Sequence, residues 1–243
     1  MTIGAGTERI EETLAALFPN ASVDRLDRDT AGGKGLGQVL ERMRSRQTDI
    51  LVGTQMVTKG HDFPFVTLVC VLDADAGLKL PDFRAAERSV QLLLQVAGRA
   101  GRADRPGRVL VQTYQPEHHA LMALQTHDHR AFLKKEEGIR ELFEYLPFAH
   151  AVAIRAESTQ NSVAQGWLSE AMVYLKLHGA NHWRYRGPAP AVIERVRGKF
   201  RWALLVTADD RKALHQVVAQ LRAAAPKIQG LKTVFDIDPQ DLM

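Results

Sequence analysis

Cysteine and long hydrophobic runs are the features that this 243-residue chain most clearly lacks. A single cysteine, Cys70, excludes a disulfide framework and any zinc site built on several cysteines. Because Cys70 lies in the apolar run 66–72, we expect a buried thiol in a protein kept reduced in the cytoplasm. No apolar run approaches the roughly 20 residues that span a bilayer, and the first residues show no signal-peptide pattern. The sequence therefore predicts a cytoplasmic protein that has no membrane partner.

The chain also lacks the G-x-x-x-x-G-K-[ST] spacing of a phosphate-binding loop. The glycine-rich segment 31–37 contains Lys34, but the lysine does not follow the glycines at the required spacing. A complete phosphate-loop nucleotide site is therefore excluded within these residues.

The remaining composition is that of an ordinary globular protein, with 45% hydrophobic and 25% charged residues and a net charge of +4. The charge is unevenly distributed. Residues 1–150 contain 19 basic and 20 acidic side chains, whereas residues 151–243 contain 13 basic and 8 acidic side chains. The second part of the chain is therefore the first place to look for the binding site of a polyanionic partner.

Alternating strand and helix patterns predict an α/β fold for the first part. The apolar runs 50–53 and 66–73 are typical of buried parallel strands, with further strands at 21–26 and 109–113. Helical spacing of apolar residues predicts helices at 7–17, 38–46 and 83–98. Ligands of such folds bind at the carboxyl ends of the strands, where the loops that carry motifs lie.

A mostly helical stretch over 116–145 stops at Leu146-Pro147, where we place a domain boundary because the prolyl ring disfavours helix before it. The pattern beyond it predicts a βαββαβ order, typical of a smaller α+β domain, with elements at 149–157, 161–178, 182–186, 200–207, 209–224 and 233–237. The predicted organisation is a first lobe at 1–115, a helical connector at 116–146 and an α+β domain at 147–243.

The octet 95–102, QVAGRAGR, is the most informative motif in the chain. It places Arg99 and Arg102 three residues apart, so that one helical turn would aim both in the same direction. Planar guanidinium groups grip phosphate oxygens through paired hydrogen bonds, and the small residues between them allow close approach. The octet resembles motif VI of superfamily-2 helicases.

A second block, GTQMVTKGHDFP at 53–64, follows a predicted buried strand. Together with the octet it resembles the PriA family of primosomal replication-restart helicases. The resemblance extends in order over nearly the whole chain, through the blocks 4–8, 73–75, 82–88, 187–190, 201–202 and 235–239. It implies a RecA-like second helicase lobe with a truncated parallel sheet, followed by the α+β domain.

The resemblance also implies the roles of individual residues. Arg99 and Arg102 would be catalytic, neutralising charge on the γ-phosphate during ATP cleavage. Gly60, Asp62, Gln95 and Gly98 would line the nucleotide site, and Asp62 would accept a hydrogen bond from a ribose hydroxyl. Contacts to the DNA backbone would come from Thr54, Gln55 and Lys59. ATP and Mg²⁺ would be bound mainly by the family's first motor lobe, and zinc by its cysteine-rich insertion. We expect neither that lobe nor that insertion in this sequence, and no metal site.

Two other candidate metal sites have a simpler interpretation. Asp73 and Asp75 could hold magnesium, but strand alternation separates their side chains, and we favour carboxylates that cap a neighbouring loop. The histidines at 118, 119, 127 and 129 lie on a polar helical stretch without nearby cysteine, and we expect them to be solvated.

The segment 183–202 interleaves basic and aromatic residues. If the aromatic side chains are exposed they can stack on bases, and if they point inward they form the sheet core beneath a basic surface. We favour the core interpretation, with DNA contacts from Arg184, Arg186, Arg197, Lys199 and Arg201.

Two functions from different classes follow. In the first, the chain is the C-terminal portion of an ATP-dependent 3′→5′ DNA helicase that restarts replication at stalled or forked DNA by primosome assembly. In the second, it is a non-catalytic fragment that docks DNA or a single-stranded-DNA-binding protein. By resemblance, the partners are forked and single-stranded DNA, single-stranded-DNA-binding protein and primosome proteins.

Overall fold

The computed structural model describes residues 3–27, 35–54, 63, 65–98, 100 and 106–242. The chain divides into two compact units, the first comprising Met1–Ala76 and Arg88–Leu124 and the second comprising Gly77–Glu87 and Gln125–Met243. The division after Leu124 falls inside the predicted connector 116–146, so the three-part organisation stays a prediction.

The first unit alternates helices and short strands, as an α/β fold requires. Its elements are α1 (Ile3–Leu17), β1 (Val23–Leu26), α2 (Gly35–Arg44), β2 (Ile50–Gly53), β3 (Leu68–Val71) and β4 (Arg108–Val111). The short helix α3 (Asp75–Leu78) and the helix α4 (Ala85–Ala97) come between the last two strands in sequence, and the residues of each are divided between the two units. Strand β1 pairs with β2, and β3 pairs with β4; both pairs are parallel. The predicted α/β class is therefore confirmed at this level.

Helix α1 is anchored to β1 through a small polar cluster. The buried Thr7 hydroxyl donates to Asp27 Oδ2 over 2.9 Å. Arg25 forms ion pairs with Glu11 at 2.9 Å and with Asp27 at 3.1 Å. Beside them, Leu26 is completely buried. The end of β1 is thus held by both polar and apolar contacts.

The prediction that 66–73 forms a fully buried strand is wrong. Cys70 is exposed, and Leu68 and Leu110 remain 52% and 55% exposed. In the parallel register Cys70 lies opposite Leu110, and Leu68 lies on the same side as Cys70 because side chains alternate along a strand. An apolar strand is buried only where both faces of its sheet are covered, and this two-stranded sheet leaves one face exposed.

The second unit is built on a four-stranded antiparallel sheet with the order β6-β7-β5-β8. Helices α5 (His119–Thr126) and α6 (His129–Leu142) precede it in the chain, and the sheet elements follow: β5 (His150–Ser158), α7 (Asn161–His178), β6 (Arg184–Val196), β7 (Lys199–Ala208), α8 (Arg211–Ala224) and β8 (Leu231–Ile237). This βαββαβ order is the one predicted. Among the described residues, no helix combines the length and apolarity that crossing a bilayer requires.

The core of the second unit lies between one face of the sheet and helices α7 and α8. Fully buried residues include Ile154 on β5, Leu168 on α7, Leu204 on β7 and Leu214 on α8. On the opposite face, a smaller cluster joins Ala151, Ala153 and Leu205 to the partly buried Tyr145, Leu146 and Leu242. The sheet therefore presents one face to helices and the other to short segments of chain.

Strand β6 extends ten residues beyond the predicted end at Arg186. Pro188 and Pro190 argue against a strand because proline cannot donate to a ladder. β6, however, is an edge strand, where such donors are dispensable, and its pairing with β7 contains two irregularities, one between Arg186 and Ala189 and one between Pro190 and Arg195. The strand thus passes both prolines and continues into a long hairpin with β7.

Candidate nucleic-acid interface

Helix α4 leads directly into the arginine octet. Gln95 is exposed near the end of the helix, and the amide of Gly98 donates to the carbonyl of Leu94 over 2.9 Å. Arg99 and Arg102 lie outside the described residues. Gln55, Lys59, Gly60 and Asp62 of the second motif lie outside them as well. Thr54 is described and stands half-buried directly after β2. The roles of all these residues remain predictions.

The block 82–88 contains an ion-pair cluster to which sequence reasoning assigned no role. Arg84 contacts Glu87 through Nη2 to Oε1 at 2.7 Å and Nε to Oε2 at 3.1 Å. Arg140 on α6 donates to the same Glu87 carboxylate at 2.6 Å. Hydrogen bonding from Arg84, supported by Arg140, lowers the pKa of Glu87 to about 2. The proximity of Arg84 and Glu87 in sequence was a signal for the first pair, but Arg140 is 53 residues away.

The aromatic ring of Phe83 extends this cluster. It stacks on Tyr145 with ring centroids 5.5 Å apart, and the guanidinium of Arg140 lies 5.5 Å from the Phe83 centroid. Asp82 accepts hydrogen bonds from the amides of Arg84 at 2.8 Å and Leu242 at 3.1 Å. The residues just before α4 are thus fixed within the second unit by charged, aromatic and main-chain contacts.

Asp75 caps a loop, as predicted. Its completely buried carboxylate accepts from the Thr113 hydroxyl at 2.7 Å and from the amide of Tyr114 at 2.8 Å. Asp73 instead adopts a positive φ of 51°, and its amide donates to Gln112 Oε1 at 3.3 Å. Within the described part of the chain, no group of three or more histidine, cysteine or acidic side chains could hold a metal ion.

Of the histidines considered as ligands, His127 and His129 are exposed, which agrees with the prediction. His118 and His119 are only half-exposed and stack on each other with ring centroids 4.5 Å apart. The Nδ1 atom of His118 accepts from the amide of Ala120 at 3.2 Å, so this ring helps to begin α5. The expectation that all four histidines are solvated is therefore wrong for this pair.

The aromatic residues of 183–202 form core structure, as favoured. Trp183 is buried, and Tyr185 and Trp202 pack against the helical core. Tyr185 donates to the carbonyl of Leu175 over 3.0 Å, and burial raises the pKa of its hydroxyl. The indole of Trp202 donates to Asn161 at 2.8 Å. These rings hold α7 against the sheet rather than presenting a base-stacking platform.

Three of the predicted DNA-binding arginines have partners within the second unit. Arg184 pairs with Glu144 and, through that hydrogen bond, lowers the pKa of the glutamate. Arg186 donates to the carbonyl of Phe143 at 2.8 Å and lies over Tyr145, 4.5 Å from the ring centroid. Arg201 contacts Glu157 at 3.1 Å. These contacts position the arginines on the sheet face that lies opposite α7 and α8.

The other two predicted DNA-binding residues lie at the tip of the β6–β7 hairpin. Arg197 and Lys199 are exposed, and within the described part of the chain the side chain of neither forms a hydrogen bond or ion pair. The predicted basic surface is therefore divided into partnered arginines on the sheet and solvent-facing cations at the hairpin tip.

Two protein-family models match the chain. The helicase conserved C-terminal domain matches residues 5–104, and the primosomal protein N C-terminal domain matches residues 141–240. Curated relatives carry the name replication restart protein PriA. The relative from Haemophilus influenzae is 39% identical over 100% of this chain, which covers 33% of the relative. Those from Bacillus subtilis and Synechocystis are each 38% identical over 84% of the chain, which covers 25% and 24% of them. The chain thus spans a third or less of the length of these relatives.

Proposed function

Because the chain belongs to the PriA family of replication restart proteins, we propose that it forms the C-terminal part of an ATP-dependent 3′→5′ DNA helicase. The helicase would act in the cytoplasm at stalled or forked DNA and restart replication by primosome assembly. Its partners would be forked and single-stranded DNA, single-stranded-DNA-binding protein and primosome proteins. The family assignment favours this function over that of a non-catalytic docking fragment.

One observation carries the proposal. The helicase-domain match over 5–104 includes both motif blocks, 53–64 and 95–102, and helix α4 ends at Ala97, immediately before the arginine pair. Gln95 therefore lies on a regular helix, four residues before Arg99 in the sequence. A group that acts in phosphoryl transfer needs such a fixed support.

The donor set of the octet fits a triphosphate. Guanidinium groups supply paired hydrogen bonds to phosphate oxygens, and Gly98 adds no side chain that would obstruct the ligand. ATP with Mg²⁺ supplies the phosphoryl group to be transferred. Arg99 and Arg102 would stabilise the charge that develops on it, while the exposed Gln95 would couple the site to the DNA. Zinc does not fit these residues, because the chain contains a single cysteine.

A chimera tests this function. The corresponding third of the Haemophilus influenzae relative is replaced by this chain, and ATP hydrolysis and unwinding of a fork are measured. We expect DNA-stimulated turnover with 3′→5′ unwinding, and Arg99→Ala should reduce kcat by about 10³-fold or more while leaving DNA affinity intact. The 243-residue chain alone should not hydrolyse ATP, since it lacks the phosphate-loop spacing.

Arg130→Ala provides the matched control, because it removes an exposed arginine of α6 and should not change turnover. A folded chimera that hydrolyses ATP equally well with and without Arg99 would overturn the catalytic assignment. A folded chimera that binds forks but never unwinds them would contradict the helicase function.

A further inference from the structure

The end of the β6–β7 hairpin forms an exposed arm, defined here as residues 191–199. Beyond the buried Ala191, every residue from Val192 to Lys199 is exposed. The strands pair Arg195 with Phe200 and Val196 with Lys199, leaving a two-residue turn of Arg197 and Gly198. Both turn residues have positive φ, 50° and 79°, which is typical of the type I′ turn that matches the twist of a hairpin. The arm is therefore paired with β7 at its tip, through Arg195 and Val196, whereas residues 191–194 lie in the irregular part of the β6 register.

The arm is also the part of the basic segment whose charge is directed to solvent. It contains three cations, Arg195, Arg197 and Lys199, and one acid, Glu194. Arg195 lies over Phe200, 4.9 Å from the ring centroid. Among the described residues, Arg197 and Lys199 have no counter-ion. A cation without a counter-ion can bind a phosphate without first giving up an internal contact.

The sheet arginines differ in this respect. Arg184 would have to leave Glu144, and Arg201 would have to leave Glu157, before either could bind DNA. The carboxylate left behind would also repel a phosphate backbone. The two groups of cations are thus unequal, although the sequence places them in one segment.

We propose that the hairpin arm is the double-stranded-DNA contact of this chain and that it enters a groove with Arg197 and Lys199 on the phosphates. At the tip, where two strands pair, the arm has the width of a two-stranded ribbon, which the major groove admits. The proposal rests on the proposed function in taking DNA as the ligand, and it assigns the duplex contact to the arm rather than to the sheet face.

The side chains of the arm favour a duplex over a single strand. Proteins that bind single strands stack the bases on exposed aromatic rings. The exposed apolar residues of the arm are instead aliphatic: Val192, Ile193 and Val196. The one aromatic ring at its base, Phe200, is covered by the guanidinium of Arg195.

Salt-dependent binding of the intact chain tests the arm. The probe is a blunt duplex of about 20 base pairs, two helical turns, titrated from about 50 to 200 mM salt without ATP. Removing both tip cations, Arg197→Ala with Lys199→Ala, should reduce the slope of log affinity against log salt by about 1.8, or 0.9 for each lost phosphate contact. The single variant Lys199→Gln should give about half that change.

One double variant serves as the control. Lys212→Ala with Arg222→Ala removes the same charge from exposed positions on α8 and should leave the slope nearly unchanged. Arg184→Ala with Arg201→Ala tests the sheet arginines directly, and a change of slope as large as that of the tip variant would assign the duplex contact to the sheet face instead. Because all three tryptophans lie in the second unit, their fluorescence verifies that each variant is folded.

The outcomes separate this proposal from the proposed function. Three results would contradict the proposal that the arm binds duplex DNA. They are a tip variant with the wild-type slope, a control variant that flattens the slope equally, and tighter binding to a single strand of the same length. Unwinding by the chimera would still support the helicase function in that case. Conversely, a chimera that binds duplex DNA through the arm but never unwinds it would support the arm as the duplex contact and contradict the helicase function.

Discussion

Glu87 is the residue whose environment most clearly determines its charge. Two guanidinium groups, those of Arg84 and Arg140, bind one carboxylate whose side chain is 17% exposed. The hydrogen bond from Arg84 makes the largest contribution to lowering its pKa to about 2, from an ordinary value of 4.5. A carboxylate with a lowered pKa in the folded state binds protons less tightly there than in the unfolded chain.

Glu87→Gln should therefore lower the free energy of unfolding at neutral pH. We expect a loss of about 1–2 kcal/mol, at the lower end for breaking a partly buried pair because water still reaches the site. The contribution of Glu87 is fully present above pH 4.5 and is lost as the pH falls towards 2. Urea denaturation followed by tryptophan fluorescence at several pH values should show wild type and variant converging between these limits.

Glu137→Gln is the control for this pH series. It makes the same substitution at an exposed position of α6 and should leave unfolding unchanged at every pH. A stability difference between wild type and Glu87→Gln that stays constant from pH 7 to about 2 would show that packing, rather than charge, is responsible.

At the scale of elements, the glycine within helix α7 and the glycine that follows its last residue have opposite environments. A Cβ at Gly166 would meet nothing within 4 Å, whereas a Cβ at Gly179, the residue that ends the helix, would lie 2.5 Å from Trp183 Cε3 and 2.6 Å from the carbonyl oxygen of Leu175. Gly166→Ala should raise the free energy of unfolding by about 0.5–1 kcal/mol, because alanine restricts the unfolded chain. Gly179→Ala should lower it by about 1–3 kcal/mol, because neither the buried ring nor the backbone can yield freely.

Each variant is the control for the other, since both make the same substitution within one helix or at its end. Chemical denaturation monitored by tryptophan fluorescence gives both values. If Gly179→Ala were neutral, the close packing of the α7 end against Trp183 would be wrong.

The sequence predicted four elements of the second unit well. α7, α8, β5 and β7 follow their predicted bounds closely, because the helices have apolar residues at helical spacing and the strands are apolar runs that the structure buries over consecutive residues. β6 was predicted too short, because tolerance of Pro188 and Pro190 depends on its place at the sheet edge. The ion pairs of Arg184 and Arg201 join residues 40 and 44 positions apart, which no local pattern reveals.

At the scale of the whole molecule, the hydrophobicity of a strand's sequence did not predict how many other strands pair with it in a sheet. The run 66–73 is as apolar as a buried strand, yet Cys70 and Leu68 are exposed in a sheet of two strands. The family and its motif residues were recognisable because order-preserving blocks extend along the chain, and the family models match the same regions. The contacts that Arg140 and Arg184 make with Glu87 and Glu144 were not predictable, since their partners lie 53 and 40 residues away in the sequence.

The two kinds of sheet should differ in their resistance to local opening. β5 has a hydrogen-bonded neighbour on each side, whereas among the described residues β3 pairs with β4 alone and exposes alternate side chains. Opening β3 therefore exposes little new apolar surface, while opening β5 disrupts the core against α7 and α8. Hydrogen exchange should show amides of β5 and β7 exchanging slowest, and those of β3 and β4 at least about tenfold faster, equivalent to 1.4 kcal/mol. Cys70 should meanwhile react with a thiol reagent without any urea, because the thiol is already exposed. Equal protection of both sheets, together with an unreactive Cys70, would mean that the face of β3 is covered in solution.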